Sequence, residues 1–365
     1  MKILILTGRF GMGHWSASQS LCQQLTRTLP RAQVKVCDLF AYAMPNRSEA
    51  LYKAFHLLVT YGSGLFNTYY RVTEHLPTDL NSPLDRPMLD KLDTLLEEEA
   101  PDAVIATHPI CAGLTARWKE EQGSDLPLIT CVTDLSTHNE WIHQSTDCYL
   151  VGSPEIRRRL MAKGVEESRI LVTGIPVKEE FRRLSRHQGG STRRLLIMGG
   201  GLGLLPRRES FYEALNALPG VEVTILTGNN QRLFRRLNGR YPHIEVVPFT
   251  DRVWDYMAQA DVMLTKPGGI TVFESIFAEL PLLLWEPFLQ QEKNNAQFLL
   301  REGLGRAAAK EPEQCLEDIR DLIYDDKALE DMRARMHKAK SQLEAESVSR
   351  LLAALTQNKA EGVRV

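Results

Sequence analysis

Short apolar runs alternate with stretches of helical periodicity along almost the whole chain. Residues 2–8 (KILILTG), 33–39, 102–108, 126–134, 148–153 and 169–174 predict strands in the first half. In the second half the same reading falls on residues 193–201 (RRLLIMGGG), 221–228, 244–249, 261–266 and 280–285. Between them lie helical patterns such as residues 16–29, 88–99, 154–164, 207–218 and 272–280. Strands that are apolar on successive positions, spaced by helices, are those of parallel sheets covered on both faces. The fold class is therefore α/β, with two Rossmann-like doubly wound domains facing across a cleft, where ligands bind at the carboxyl ends of the strands. A polar, basic stretch at Lys178–Thr192 ending in Gly-Gly-Ser-Thr reads as the linker. The expected domains are residues 1–180 and 190–345, with residues 346–365 as a C-terminal helix or tail.

Composition narrows the picture by exclusion. A chain of 365 residues exceeds what one core organises, which agrees with two domains. A net charge of −2 gives no global argument for nucleic acid. The 6 cysteines form no CxxC pair, so neither zinc nor a disulfide framework is signalled, and a reducing cytoplasm is expected. The apolar run at the N-terminus is too short for a signal peptide, and no run is long enough for a spanning helix.

The segment Thr265–Glu274, TKPGGITVFE, carries the clearest chemistry. Exposed amides at Gly268, Gly269, Ile270 and Thr271, before a helix, suit a diphosphate. Glu274, in the second turn, suits the two hydroxyls of a ribose. EPFLQQEKNNA follows, and Gln291 and Glu292 in it suit a hexose. Together these residues describe a nucleotide-sugar pocket. Thr250 and Phe249, in a turn after a strand, offer backbone groups to a base edge. A glycine loop at Gly199–Gly203, with Gly200 and Gly201, offers amides to phosphate oxygens. The absence of GxGxxG with a later acidic residue disfavours a nicotinamide cofactor.

Another glycine loop, Gly8–His14 (GRFGMGH), follows the first strand. Gly13 lets the backbone approach a ligand, and His14 stands at a helix N-terminus whose dipole favours the neutral imidazole. That suits a general base for a hydroxyl acceptor, and equally a capping or phosphate-contacting histidine. His108, Asp134 and His138 fall at carboxyl ends of first-domain strands, with Asp134 suited to orient a catalytic histidine or to bind an acceptor. His143 reads as packing. The histidines show no metal spacing, so no metal is expected. In residues 41–80, aromatics and leucines are interleaved with Lys53, His56 and Arg71. That pattern fits an amphipathic surface meeting lipid, or an ordinary core-facing helix.

GMGH, TD…H…W.H, VTGIPV and TKPGGITVFE with the QE patch together resemble the GT-B glycosyltransferases that glycosylate diacylglycerol. These are the monogalactosyl- and processive glucosyl-diacylglycerol synthases, more distantly similar to MurG-type transferases. The resemblance covers most of the chain. It implies an inverting transfer of glucose or galactose from a UDP-sugar to the 3-hydroxyl of 1,2-diacylglycerol, on the inner face of the cell membrane. It implies His14 as base, Thr250 and its neighbours at the uracil and Gly268–Thr271 at the diphosphate. Glu274 then falls at the ribose, Gln291 and Glu292 at the hexose, and Asp134 and His138 in the acceptor cleft, with no cofactor or metal. The family's P-x-P-G-Q-E reads here as Pro287–Glu292, with Leu289 and Gln290 replacing Pro and Gly. The hexose therefore stays open between glucose, galactose and N-acetylglucosamine. A MurG-like transferase to a polyprenyl-linked acceptor, a UDP-sugar epimerase and a non-catalytic nucleotide-sugar-binding regulator are the competing readings.

Overall fold

The computed structural model describes the chain except residues 75–84, 185–189, 191, 201–204, 207, 286, 288 and 362–365. Two compact units divide it: Met1–Glu179 with Leu343–Val365, and Glu180–Gln342.

The first unit holds six parallel strands: β1 (Lys2–Thr7), β2 (Gln33–Asp38), β3 (Ala103–Ala106), β4 (Leu128–Cys131), β5 (Cys148–Val151) and β6 (Ile170–Val172). Their order is β2-β1-β3-β4-β5-β6. Side chains alternate across a strand, and β1 is buried on both faces by that rule. Ile3 and Ile5 pack with Leu21, Leu25, Val348 and Leu352, while Leu4 and Leu6 face Leu92, Leu95 and Ala112. The chain leaves β1 toward β2 on one side and reaches β3 on the other, so the order reverses between β1 and β3. Register pairs Leu6 with Ala106, which brings the loops after β1 and β3 together at their carboxyl ends. Such a switch point is where open α/β sheets bind ligands.

The C-terminal segment closes this unit. Glu344 donates its N–H to the Val172 carbonyl at 2.7 Å, and the Gln24 amide donates to the Ala345 carbonyl at 2.6 Å. The helix Ser347–Glu361 then covers β1 with Val348 and Leu352.

The second unit has β7 (Arg193–Met198), β8 (Val221–Leu226), β9 (Ile244–Val247), β10 (Val262–Thr265), β11 (Leu282–Leu284) and β12 (Gly305–Ala307), all parallel, in the order β12-β11-β10-β7-β8-β9. Its switch point lies between β7 and β10, where Met198 pairs with Thr265. β12 is absent from the sequence reading, because Arg306 and Ala307 are exposed and leave no apolar run. Among the described residues no helix is long and apolar enough to cross a membrane.

Candidate active site

The first switch point carries His14. Gly11 caps the helix Met12–Thr28 at φ +86°, a conformation that demands glycine. This turn sets His14 in the first helical turn. Its Nδ1 donates to the Thr107 carbonyl at 2.9 Å. A carbonyl only accepts, so Nδ1 carries the hydrogen and Nε2 keeps its lone pair. The Thr133 hydroxyl lies 2.7 Å from the same nitrogen and 3.5 Å from the Thr107 carbonyl, bracing both. Ser18 completes the support with bonds to the His14 carbonyl (2.8 Å) and the Thr107 hydroxyl (2.7 Å).

Withdrawal from water lowers the His14 pKa to about 4, opposed in part by the bond to Thr107. Burial, rather than the helix dipole expected from the sequence, is thus the larger cause. Two pH effects follow. The ordinary value is 6.5 and the folded value about 4. The unfolded chain therefore takes up this proton first, and the stability contributed by neutral His14 is full above 6.5 and is lost as pH falls toward 4. A base with this value also holds kcat/KM flat through neutral pH, with an acid limb only near pH 4. An acid limb near the unperturbed value, measured in a pH–rate profile, contradicts the assignment.

His108 is buried, caps the helix Pro109–Gln122 by accepting the Ile110 N–H at Nδ1 (3.3 Å), and stands edge-on to His14 with ring centroids 4.6 Å apart. Burial first, then repulsion from a charged His14, holds its pKa well below the ordinary value. Phe10 and Phe40 complete its surroundings, at 5.2 and 5.5 Å. Gly13 is exposed beside His14 in the same turn.

Asp134 does not orient His14. Its Oδ1 accepts the N–H (3.1 Å) and hydroxyl (2.7 Å) of Ser136, and the Trp141 side chain supplies a further bond. Burial raises its pKa, with these bonds opposing. The orienting part anticipated for Asp134 falls to Thr107 and Thr133, a backbone carbonyl and a hydroxyl. His138 is likewise engaged within the protein. Nε2 donates to the Tyr70 carbonyl at 2.9 Å, Nδ1 accepts the Glu140 N–H at 3.2 Å, and the ring is 1 % exposed. It pins the helix Ser63–Thr73 to the Asp134 loop, aided by the Tyr70–Ser136 hydroxyl pair at 2.8 Å. His143 is held by the Glu140 carbonyl (3.0 Å) and the Tyr149 hydroxyl.

The helices Ser48–Tyr61 and Ser63–Thr73 expose Leu57, Leu58, Leu65, Tyr69 and Val72, with Leu65 73 % accessible. Phe10 of the His14 loop packs edge-on against Tyr52 (4.9 Å) and Phe55 (5.1 Å) of the first of them. The Tyr52 hydroxyl donates to Asp38 at 2.5 Å.

In the second unit, Gly200 follows β7 at φ +70°, again a glycine conformation, while Gly201 lies outside the described residues. Beyond β10, Thr265 donates its hydroxyl to the Met198 carbonyl at 2.9 Å, and the Gly268 N–H bonds the Lys266 carbonyl at 2.9 Å. Gly268 then caps the helix Gly269–Ala278 with no side-chain cap and no acidic residue in the first turn. A helix start left open in this way presents its N–H groups and positive dipole end to an anion. Gly268 itself has ordinary φ (−67°), and an added Cβ meets only the Thr271 hydroxyl, at 3.7 Å. Folding therefore does not require glycine there. Ile270, Thr271 and Glu274 are half-buried on this helix.

The Thr250 hydroxyl accepts the Arg252 N–H at 3.1 Å, bracing its turn. Gln291 and Glu292 occupy the first turn of the helix Gln290–Arg301. Glu292 accepts the Leu289 N–H at 3.2 Å, so one of its oxygens is committed to capping. Asn295, which no sequence pattern marks, is buried and donates to the Pro267 carbonyl at 2.9 Å. Among the described residues, no group of three or more His, Cys, Asp or Glu is placed to hold a metal.

Paired domains of this kind are those of the GT-B glycosyltransferases. The structure resembles Acinetobacter baumannii MurG with a TM-score of 0.66 at 17% identity, covering 98% of this chain and 99% of that one. It resembles the calicheamicin glycosyltransferase CalG4 with a TM-score of 0.63 at 18% identity, covering 98% and 99%. Likeness at such identities speaks for the fold alone. The family models speak for more: residues 14–177 match the monogalactosyldiacylglycerol (MGDG) synthase model, and residues 194–351 the glycosyltransferase family 28 C-terminal domain. The chain carries a match to each of these two domains in succession and is a glycosyltransferase. It is 28% identical over 345 residues to the processive diacylglycerol beta-glucosyltransferase of Bacillus licheniformis, covering 91% of this chain and 89% of that one.

Proposed function

We propose that the protein transfers a hexose from a UDP-sugar to the 3-hydroxyl of 1,2-diacylglycerol, giving a β-glycosyldiacylglycerol. The observation that carries the mechanism is His14: neutral, tied through Nδ1 to Thr107, with Nε2 left to take a proton. Nε2 removes the hydroxyl proton, the hydroxyl oxygen bonds to the anomeric carbon, and the bond from that carbon to the diphosphate breaks. One displacement on an α-linked donor gives the β-product. UDP leaves with the electron pair, and the open amides at Gly269–Thr271 meet its growing charge without a metal ion. Glu274 takes the ribose hydroxyls, the backbone at Thr250 the uracil, and Gln291 with Glu292 the hexose. Gly200 borders the phosphates. Asp134 and Gly13 line the acceptor side, while His108 and His138 hold its walls.

The acceptor is supported by the name of the relative and by the first domain's family model. The exposed leucines of residues 48–73, with Lys53, His56 and Arg71 beside them, suit peripheral contact with an anionic membrane on its cytoplasmic face. The test is to incubate the protein with diacylglycerol vesicles and each UDP-hexose in turn and to identify the lipid product by chromatography. A monohexosyl- or oligohexosyl-diacylglycerol is expected. Transfer only from UDP-N-acetylglucosamine to a polyprenyl-linked sugar overturns the proposal. So does interconversion of the UDP-sugar without acceptor, or UDP binding without turnover.

A further inference from the structure

Asn295 stands apart in the donor domain because its side chain is 2 % exposed yet polar, and because its bond joins two segments that carry separate parts of the donor site. Its Nδ2 donates to the carbonyl of Pro267, in the turn that leads into the open helix start at Gly268. The same asparagine lies four positions after Gln291 and three after Glu292 on one helix, spacings that share a helix face. One bond therefore links the helix of the hexose contacts to the turn of the diphosphate contacts.

The bond also has an electrostatic sense. A carbonyl beside an anion site is repulsive if its oxygen turns toward the anion. The Pro267 oxygen is satisfied by Asn295, while the Gly268 N–H is satisfied by the Lys266 carbonyl and the Thr265 hydroxyl by Met198. Each anchor holds the turn from within the domain, and the first amides of the helix Gly269–Ala278 have no side-chain cap.

We infer that Asn295 is a positioning residue that sets the register of the hexose contacts against the diphosphate turn. It acts through Pro267 and through the helix that carries Gln291. The inference rests on the donor-site reading above. If wild-type protein binds neither UDP nor UDP-hexose, that reading fails, and the asparagine is not what has been tested.

The experiment is a double-mutant cycle of Asn295→Ala and Gln291→Ala, with kcat, KM for UDP-hexose, Kd for UDP and thermal melting measured for each protein. Removing a buried hydrogen-bond partner is expected to lower kcat/KM for UDP-hexose about tenfold or more. UDP, which lacks the hexose, should lose less than about threefold in affinity. In the Gln291→Ala background, Asn295→Ala should add little further loss for UDP-hexose, since coupled residues are not additive. Asn295→Asp keeps the size but turns an acceptor toward the Pro267 carbonyl, and should be worse than alanine. A drop in melting temperature with unchanged kinetic constants overturns the inference, as does equal loss for UDP and UDP-hexose or full additivity with Gln291→Ala. If Asn295→Ala does not fold, the comparison of Asn295→Asp with Asn295→Ser carries the same test.

Discussion

Replacing His14 with alanine is expected to cut turnover about a thousandfold, the middle of the range for loss of a positioned general base. UDP affinity should change little. The two expectations are separable because His14 belongs to the first compact unit, while the open amides at Gly269–Thr271 belong to the second. The fold should tolerate the change: the Thr107 carbonyl loses the imidazole but keeps the Thr133 hydroxyl at 3.5 Å. The loss of stability between neutral pH and mild acid should be smaller than in wild type, because the variant no longer carries a half-buried ring whose protonation the fold resists. Turnover by stopped assay and UDP binding by calorimetry check the pair. Loss of UDP binding in parallel with turnover, or retention of turnover, removes His14 as the base.

A second large effect is expected from Gly268→Asp, with stability and function moving in opposite directions. The backbone there (φ −67°, ψ 144°) suits an N-cap aspartate, and an added Cβ meets only Thr271, at ordinary contact distance. Aspartate caps better than glycine by a few tenths of a kcal/mol, so melting temperature should hold or rise. The new carboxylate would take the very amides proposed for the diphosphate and repel its charge. Like charges brought together cost several kcal/mol, so donor affinity should fall about a hundredfold or more. Gly268→Ala separates charge from bulk, since it adds the Cβ alone. Aspartate and alanine variants with equal donor affinity, measured by UDP titration, contradict the anion-site assignment.

Much of this architecture was legible because its strands are covered on both faces and so read as continuous apolar runs. β1 and β10 are the clearest, each with a glycine turn directly after it. β12 was not legible, since three residues with two exposed leave no pattern. His14 could be read from its loop, but what holds it could not: its partner is the carbonyl of Thr107, a group that every residue carries, 93 positions away. The part of Asn295 was not legible for the same reason, since it bonds a carbonyl 28 positions distant. Asp134 could be read from its place at the carboxyl end of a strand, but not that its neighbours Ser136 and Trp141 claim it. Side-chain letters mark chemical capacity; only the fold decides which partner takes it up.

Central to the account is a single displacement at the anomeric carbon with diacylglycerol as nucleophile and His14 as base. The most direct test is the anomeric configuration of the lipid formed by the wild-type protein from an α-linked UDP-hexose and 1,2-diacylglycerol, read by proton NMR of the purified product. A β-glycosyldiacylglycerol, formed with equal release of UDP and missing from the His14→Ala reaction, is the predicted result. An α-glycoside, or UDP release with no glycolipid at all, would contradict it.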